Sequence, residues 1–187
     1  MLKRPRQDDN AENKQIAAFG LTPGPGRSNK YIEDAKIKVD DNVYKLELKS
    51  CPTKKSGFST SSRMGELKIK AWKETVHCFI FSVFNDDGDF TDHWFLTHEG
   101  MQEWYDGVIK KQHAGHAGRA GLSTFYKMKP ILKANGWTDK ELLEEEKTKR
   151  FGSRLNDPQV SLKYVKNHGI KIKNKSDLIK LLGGINV

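Results

Sequence analysis

Tyr31-Ile32-Glu33-Asp34-Ala35-Lys36-Ile37-Lys38-Val39-Asp40-Asp41-Asn42-Val43-Tyr44-Lys45-Leu46-Glu47-Leu48-Lys49-Ser50 is the stretch whose reading decides the fold. Two runs rich in β-branched and aromatic residues flank Asp40-Asp41-Asn42, a turn signal, so the stretch reads as a hairpin with strands over 31–39 and 43–50. Side chains alternate along a strand. Leu46 and Leu48 therefore share one face, and Glu47 and Lys49 the other. Antiparallel pairing through the turn would bring Asp34 or Glu33 beside them, giving two acids and a lysine in one place.

Such a set suits phosphodiester hydrolysis. Two carboxylates can hold Mg²⁺, which neutralises phosphate oxygens and activates a water, while a lysine positions that water and eases its deprotonation. The main-chain carbonyl of Leu48 is a further hard oxygen ligand for the metal. A bare Glu-x-Lys also describes a solvated strand face, so the setting has to carry the reading: the strand pair, the upstream acid, and the charge of the chain.

Outward from the hairpin, Thr22-Pro23-Gly24-Pro25-Gly26 opposes regular structure, since its prolines lack donors and its glycines admit left-handed angles. Before it, residues 1–13 are polar and expected to be mobile, with a short helix over 10–21. After the hairpin, 51–56 reads as loop and 64–74 as a helix carrying Met64, Leu67, Ala71 and Trp72 on one face. The continuous apolar run over 76–84 reads as a strand buried on both faces. A turn at 85–89 leads to a strand over 90–97 and a helix over 99–110. The Gly-punctuated segment 113–121 reads as loop, followed by helices over 124–135 and 139–150. A last helix is bounded by Ser176 as N-cap and Gly183 as stop. The order predicts one α+β domain over 1–187, a central mixed β-sheet flanked by helices, with 111–150 as a helical insertion.

The 187 residues include 33 Lys+Arg against 24 Asp+Glu, a formal charge of +9. That balance points to a polyanion, nucleic acid before membrane. The longest apolar run is far short of a bilayer span and no signal peptide is evident, so the expected setting is the cytoplasm. There Cys51 and Cys78 are expected as free buried thiols. His113-x-x-His116 has no Cys-x-x-Cys or third local ligand and does not read as a zinc site. Trp72, Trp94, Trp104 and Tyr105 fall on apolar faces and read as core.

Separated stretches in one order carry a resemblance: Gly20-Leu21-Thr22, Pro25-Gly26-Arg27, Asp34-Ala35, Glu47-Leu48-Lys49-Ser50, Gly57-Phe58-Ser59-Thr60 with Met64, Asn156-x-Pro158, and Lys163-Tyr164-Val165-x-x-His168-Gly169-x-Lys171-Ile172. Over roughly 15–172, with the middle third poorly matched, the chain resembles the PvuII-like type II restriction endonucleases of the P-D...(D/E)-x-K nuclease superfamily. The resemblance implies a restriction-endonuclease-like fold and Mg²⁺-dependent hydrolysis of double-stranded DNA at a specific sequence, leaving 5′-phosphate ends. It implies Asp34, Glu47 and Lys49 as catalytic, with Asp34, Glu47 and the carbonyl of Leu48 on the metal. Glu33, Asp40 and Asp41 remain rivals for the first acid, because the hairpin is about three residues longer than in the family.

The resemblance further places Ser59, Thr60, Ser61, Ser62 and Arg63 at the major groove. Arg63 there suits a guanine, and the change from the family's histidines implies a different target. Asn156 and Asp157 match a second base-reading pair. Lys54 and Lys55, with Lys68 and Lys70, flank the catalytic strand as expected phosphate contacts. The region ahead of Gly-Leu-Thr, which builds the subunit interface in the family, is only 19 residues here. A homodimer leads; a catalytic small subunit that cuts one strand beside a recognition partner is the second arrangement, and a non-catalytic DNA-binding module the third reading.

Overall fold

In a computed structural model, the structure describes residues 7–25, 33–60, 66–113, 122–148 and 159–185. In chain order the elements are α1 (Gln7–Phe19), β1 (Thr22–Pro23), β2 (Ala35–Val39), β3 (Asn42–Pro52), β4 (Gly57–Ser59), α2 (Glu66–Thr75), β5 (Cys78–Phe84) and β6 (Phe90–Thr97). There follow α3 (His98–His113), α4 (Leu122–Ala134), α5 (Asp139–Thr148), β7 (Gln159–Ser161), α6 (Leu162–His168), β8 (Ile170–Ile172) and α7 (Lys175–Leu182). The fold is α+β: a six-stranded mixed sheet in the order β1-β2-β3-β5-β6-β8, flanked by helices, with β4 and β7 forming a separate ribbon.

The hairpin forms as the sequence dictates. Val39 pairs with Asn42 across Asp40-Asp41, and Asp40 takes a left-handed angle, φ 52°, which aspartate tolerates better than most residues. β3 then pairs in parallel with β5, the two joined through α2. With neighbours on both edges and helices on both faces, β5 can be apolar but for Ser82, and its first six residues are buried.

The sheet divides the core in two. On one side, Phe79, Phe81, Trp94 and Leu96 pack with Trp72, Tyr105 and Val165 from α2, α3 and α6. On the other, Leu46, Leu48, Ile80 and Phe95 pack with Phe19 of α1 and Leu178 and Leu182 of α7. The cysteines are free and buried, Cys51 in the first cluster and Cys78 in the second.

Several boundaries differ from the sequence reading. Helix α1 starts at Gln7, so residues 7–13 are helical. Pro23, expected to oppose regular structure, sits in the two-residue strand β1 at the edge of the sheet, where a missing N–H costs nothing. β2 begins at Ala35, and β3 runs on to Pro52 because β5 stays beside it that far. α7 is capped by Asn174, whose side chain accepts from Asp177 N, in place of the expected Ser176. The ribbon of β4 and β7 is absent from the reading, since three-residue strands carry too little periodicity to show.

Three half-buried histidines are hydrogen-bonded into the fold. His98 bonds Val76 O through Nε2 (2.8 Å) and Tyr105 Oη through Nδ1 (3.0 Å). His93 Nδ1 lies 2.7 Å from Ser82 Oγ, and His77 Nδ1 accepts from Lys45 N at 2.9 Å. Burial lowers all three below the ordinary 6.5. A histidine held neutral stabilises the fold above its unfolded value, and that contribution is lost as the pH falls below 6.5 toward the depressed folded values. The unfolding midpoint is therefore expected to fall between pH 7.5 and 5; a thermal scan that is flat or rising on acidification over that range would contradict the assignment.

Candidate active site

β2 is five residues long and β3 eleven, so β3 outruns its neighbour. The last regular pair is Ala35 with Leu46, extended by Asp34 N donating to Leu46 O at 3.0 Å. Past that point Asp34 turns its side chain onto β3, and Oδ2 accepts from Leu48 N at 2.8 Å. Gly24 allows the chain to pass here: its N–H donates to Asp34 O at 2.8 Å, and a Cβ at this position would stand 2.1 Å from Glu33 O, so only glycine fits.

Glu47 and Lys49 pair in register with Phe79 and Phe81 and so lie on the α2–α3 face of the sheet. Glu47 is 4% exposed. Lys49 Nζ lies 2.5 Å from Glu47 Oε1, 3.7 Å from Asp34 Oδ2 and 3.2 Å from Leu48 O, with the Trp72 ring 5.9 Å away. One cationic atom thus stands among an oxygen of each of the three groups expected to bind a metal. Burial works to lower the pKa of Lys49, but the charges of Glu47 and Asp34, the hydrogen bond to Glu47 and the charge of Glu12 outweigh it and hold the amine above its ordinary 10.5. Lys49 is an ammonium at neutral pH.

The rival acids are elsewhere. Asp40 and Asp41 lie at the far end of the hairpin, where they serve the turn. Glu33 has one carboxylate oxygen buried without a hydrogen-bond partner, and its charge is felt at His77. The resemblance points to Asp34 among the four acids, and Asp34 is the one whose carboxylate accepts from Leu48 N and lies near Lys49 Nζ.

The other expected site residues are distributed as follows. Ser59, exposed, pairs with Gln159 across the ribbon. Thr60 is half-buried. Ser61, Ser62, Arg63, Asn156 and Asp157 lie outside the described residues, as do His116, Arg119 and the side chains of Lys68 and His113. Lys54 is exposed and pairs with Asp86 at 2.9 Å; Lys55 is exposed. Lys70 lies over Trp137, 5.5 Å from the ring centroid.

A metal fits the chemistry of the donor set: two carboxylates and a peptide carbonyl, all hard oxygens on net negative ground, suit Mg²⁺ and not a thiophilic ion. Among the described residues no group of three or more His, Cys, Asp or Glu gathers that could hold a metal ion, and the carbonyl of Leu48 accepts from Lys49 Nζ at 3.2 Å. Sequence reasoning missed Gln15, buried on α1, whose amide reaches Lys49 O, Ile80 O and Ser82 Oγ; nothing in its flanking residues marks it. It also missed Glu12, one turn earlier on the same helix.

Among the described residues no helix is long and apolar enough to cross a membrane. No protein-family model matches the chain, and a search of curated proteins finds no relative.

Proposed function

We propose that the protein is a Mg²⁺-dependent endonuclease that hydrolyses phosphodiester bonds of double-stranded DNA at a defined sequence, on a restriction-endonuclease-like fold. One observation carries the reading: a cation already sits among Asp34, Glu47 and the Leu48 carbonyl, at the open end of a strand pair in a chain of net charge +9. Asp34 is oriented by the Leu48 N–H, and Glu47 is dry and fixed on its strand. Bound there, Mg²⁺ supplies neutralisation of the phosphate oxygens and acidifies a water.

The work of the side chains follows from their placement. Lys49 donates hydrogen bonds, lining up the attacking oxygen and stabilising charge that builds on the phosphoryl group. Trp72 walls the ammonium from solvent on one side, which strengthens each of these interactions. The basic surface holds the duplex backbone, a contact that weakens as salt rises. Ser59 and Thr60, with the residues Ser61, Ser62, Arg63, Asn156 and Asp157 that the resemblance implies, supply the sequence reading in the groove.

The test is incubation of supercoiled plasmid with Mg²⁺ and, separately, Ca²⁺. Discrete linear products with Mg²⁺, and duplex binding without cutting in Ca²⁺, are the expected results. Binding with no cleavage in any divalent ion would leave a DNA-binding module in place of the enzyme. Sequenced ends then report the assembly: one cut on each strand at a symmetric motif fits a homodimer, whereas nicks on one strand fit a subunit that works beside a recognition partner.

A further inference from the structure

Gln15 is 1% exposed, although it lies on a helix that otherwise buries only Phe19 fully among its described side chains. Its Nε2 donates to Ser82 Oγ at 2.7 Å, and lies 3.3 Å from Lys49 O and 3.4 Å from Ile80 O. Two N–H groups serve three acceptors, so the hydroxyl takes one and the two carbonyls share the other. Ser82, which receives from Gln15, shares a second hydrogen bond with His93 Nδ1 at 2.7 Å. Gln15, Ser82 and His93 thus form one continuous hydrogen-bonded chain.

Ser82 and Ile80 stand on the α1 face of the sheet, opposite the face that carries Glu47 and Lys49. Gln15 thus grips the peptide of Lys49 from behind, while the ammonium projects forward to Asp34 and Glu47. Resting on the nuclease reading above, we infer that Gln15 is a positioning residue for Lys49: its amide, oriented by Ser82 and His93, fixes the backbone from which the ammonium is aimed. A helix could be anchored at many points on a sheet by apolar contact alone. A buried amide on the carbonyl of Lys49, itself tied to Ser82, specifies one seating.

The same helix supplies the control. Lys14, the preceding residue, ties α1 to Gly88 O at 2.7 Å without touching Lys49. If Gln15 only anchors α1, Lys14→Ala and Gln15→Met act alike; if it positions Lys49, only the second slows the reaction. Gln15→Met, similar in volume but without donors, is expected to lower the single-turnover rate of plasmid cleavage in Mg²⁺ by roughly 10–100-fold, the range seen when partners that orient a reactive group are removed. Duplex affinity in Ca²⁺ should stay within about 2-fold, because no DNA contact is lost. Ser82→Ala, which removes only the acceptor that orients the amide, gives a smaller loss in the same sense and serves if Gln15→Met does not fold.

A second readout is independent of cleavage. The shielded Lys49 ammonium should give a ¹H–¹⁵N signal, assigned by its absence in Lys49→Ala, and Gln15→Met should shift or broaden it while Lys14→Ala does not. An unmoved signal, or a wild-type rate in both Gln15→Met and Ser82→Ala, overturns the inference. A wild-type protein that never cleaves, or Lys49→Ala with full activity, instead sinks the nuclease reading, and the ammonium signal still decides whether Gln15 places the lysine.

Discussion

Replacing Lys49 with alanine is expected to lower Mg²⁺-dependent cleavage by roughly 10²–10⁴-fold, with duplex binding in Ca²⁺ retained. The size follows from the role. An ammonium that donates to the attacking water and to the developing charge acts only as the transition state forms, and groups of that kind are worth this range of rate. Binding survives because the duplex is held by many phosphate contacts away from the site. Removing the ammonium also takes the nearest cation from Glu47, 4% exposed, so part of the loss reflects a buried carboxylate with less charge compensation. Lys49→Arg separates the two effects: it restores a positive charge but offers a planar fork where a compact donor stood, and a substantial deficit in rate should remain. Single-turnover rates for the three proteins measure this, and an alanine variant that cuts as well as the wild type would remove Lys49 from the chemistry.

Phe79→Ala is expected to cost about 3–5 kcal/mol of stability, the usual range for truncating a buried aromatic. Phe79 is wholly buried in the central strand, and its ring meets Trp72 at 5.4 Å, His98 at 5.2 Å and Phe81 at 6.3 Å between centroids. Losing it opens a cavity ringed by aromatic groups from α2, α3 and β5, which a methyl group cannot fill. In a chain of this length such a loss lowers the unfolding midpoint by roughly 6–20 °C. Thermal or urea unfolding measures it, and a cost below about 1 kcal/mol would mean that the cavity closes by repacking. Phe79 is also the in-register neighbour of Glu47, so the wall that keeps the glutamate dry is part of the same cluster.

The hairpin, β5, β6 and most helices could be read from the chain, because each has a periodic or continuous apolar pattern several residues long. The convergence of Asp34, Glu47 and Lys49 could be read too, since alternation along β3 and an antiparallel turn leave few other outcomes. Asp34 was favoured over Glu33, Asp40 and Asp41 only through the family resemblance. What sequence could not supply was the contact that sets Asp34 apart, which depends on where β2 stops and on a carboxylate accepting a backbone N–H, a tertiary event. Gln15 was equally out of reach. A glutamine among polar neighbours reads as surface, and only the packing of α1 on the sheet turns it into a buried donor. The β4–β7 pairing joins residues about a hundred positions apart, with too few in each strand to announce it.

The uneven lengths of β2 and β3 have a consequence for how the molecule behaves in a crowd. Beyond Leu46, β3 has no described strand along that flank, and a bare flank invites another chain to zip onto it. The Leu48 peptide is guarded on both counts, its N–H taken by Asp34 and its carbonyl by Lys49. An alanine at 34, introduced to silence the site, would also unlatch that guard, so an asparagine, which can still accept from the peptide, makes the cleaner inactive reagent.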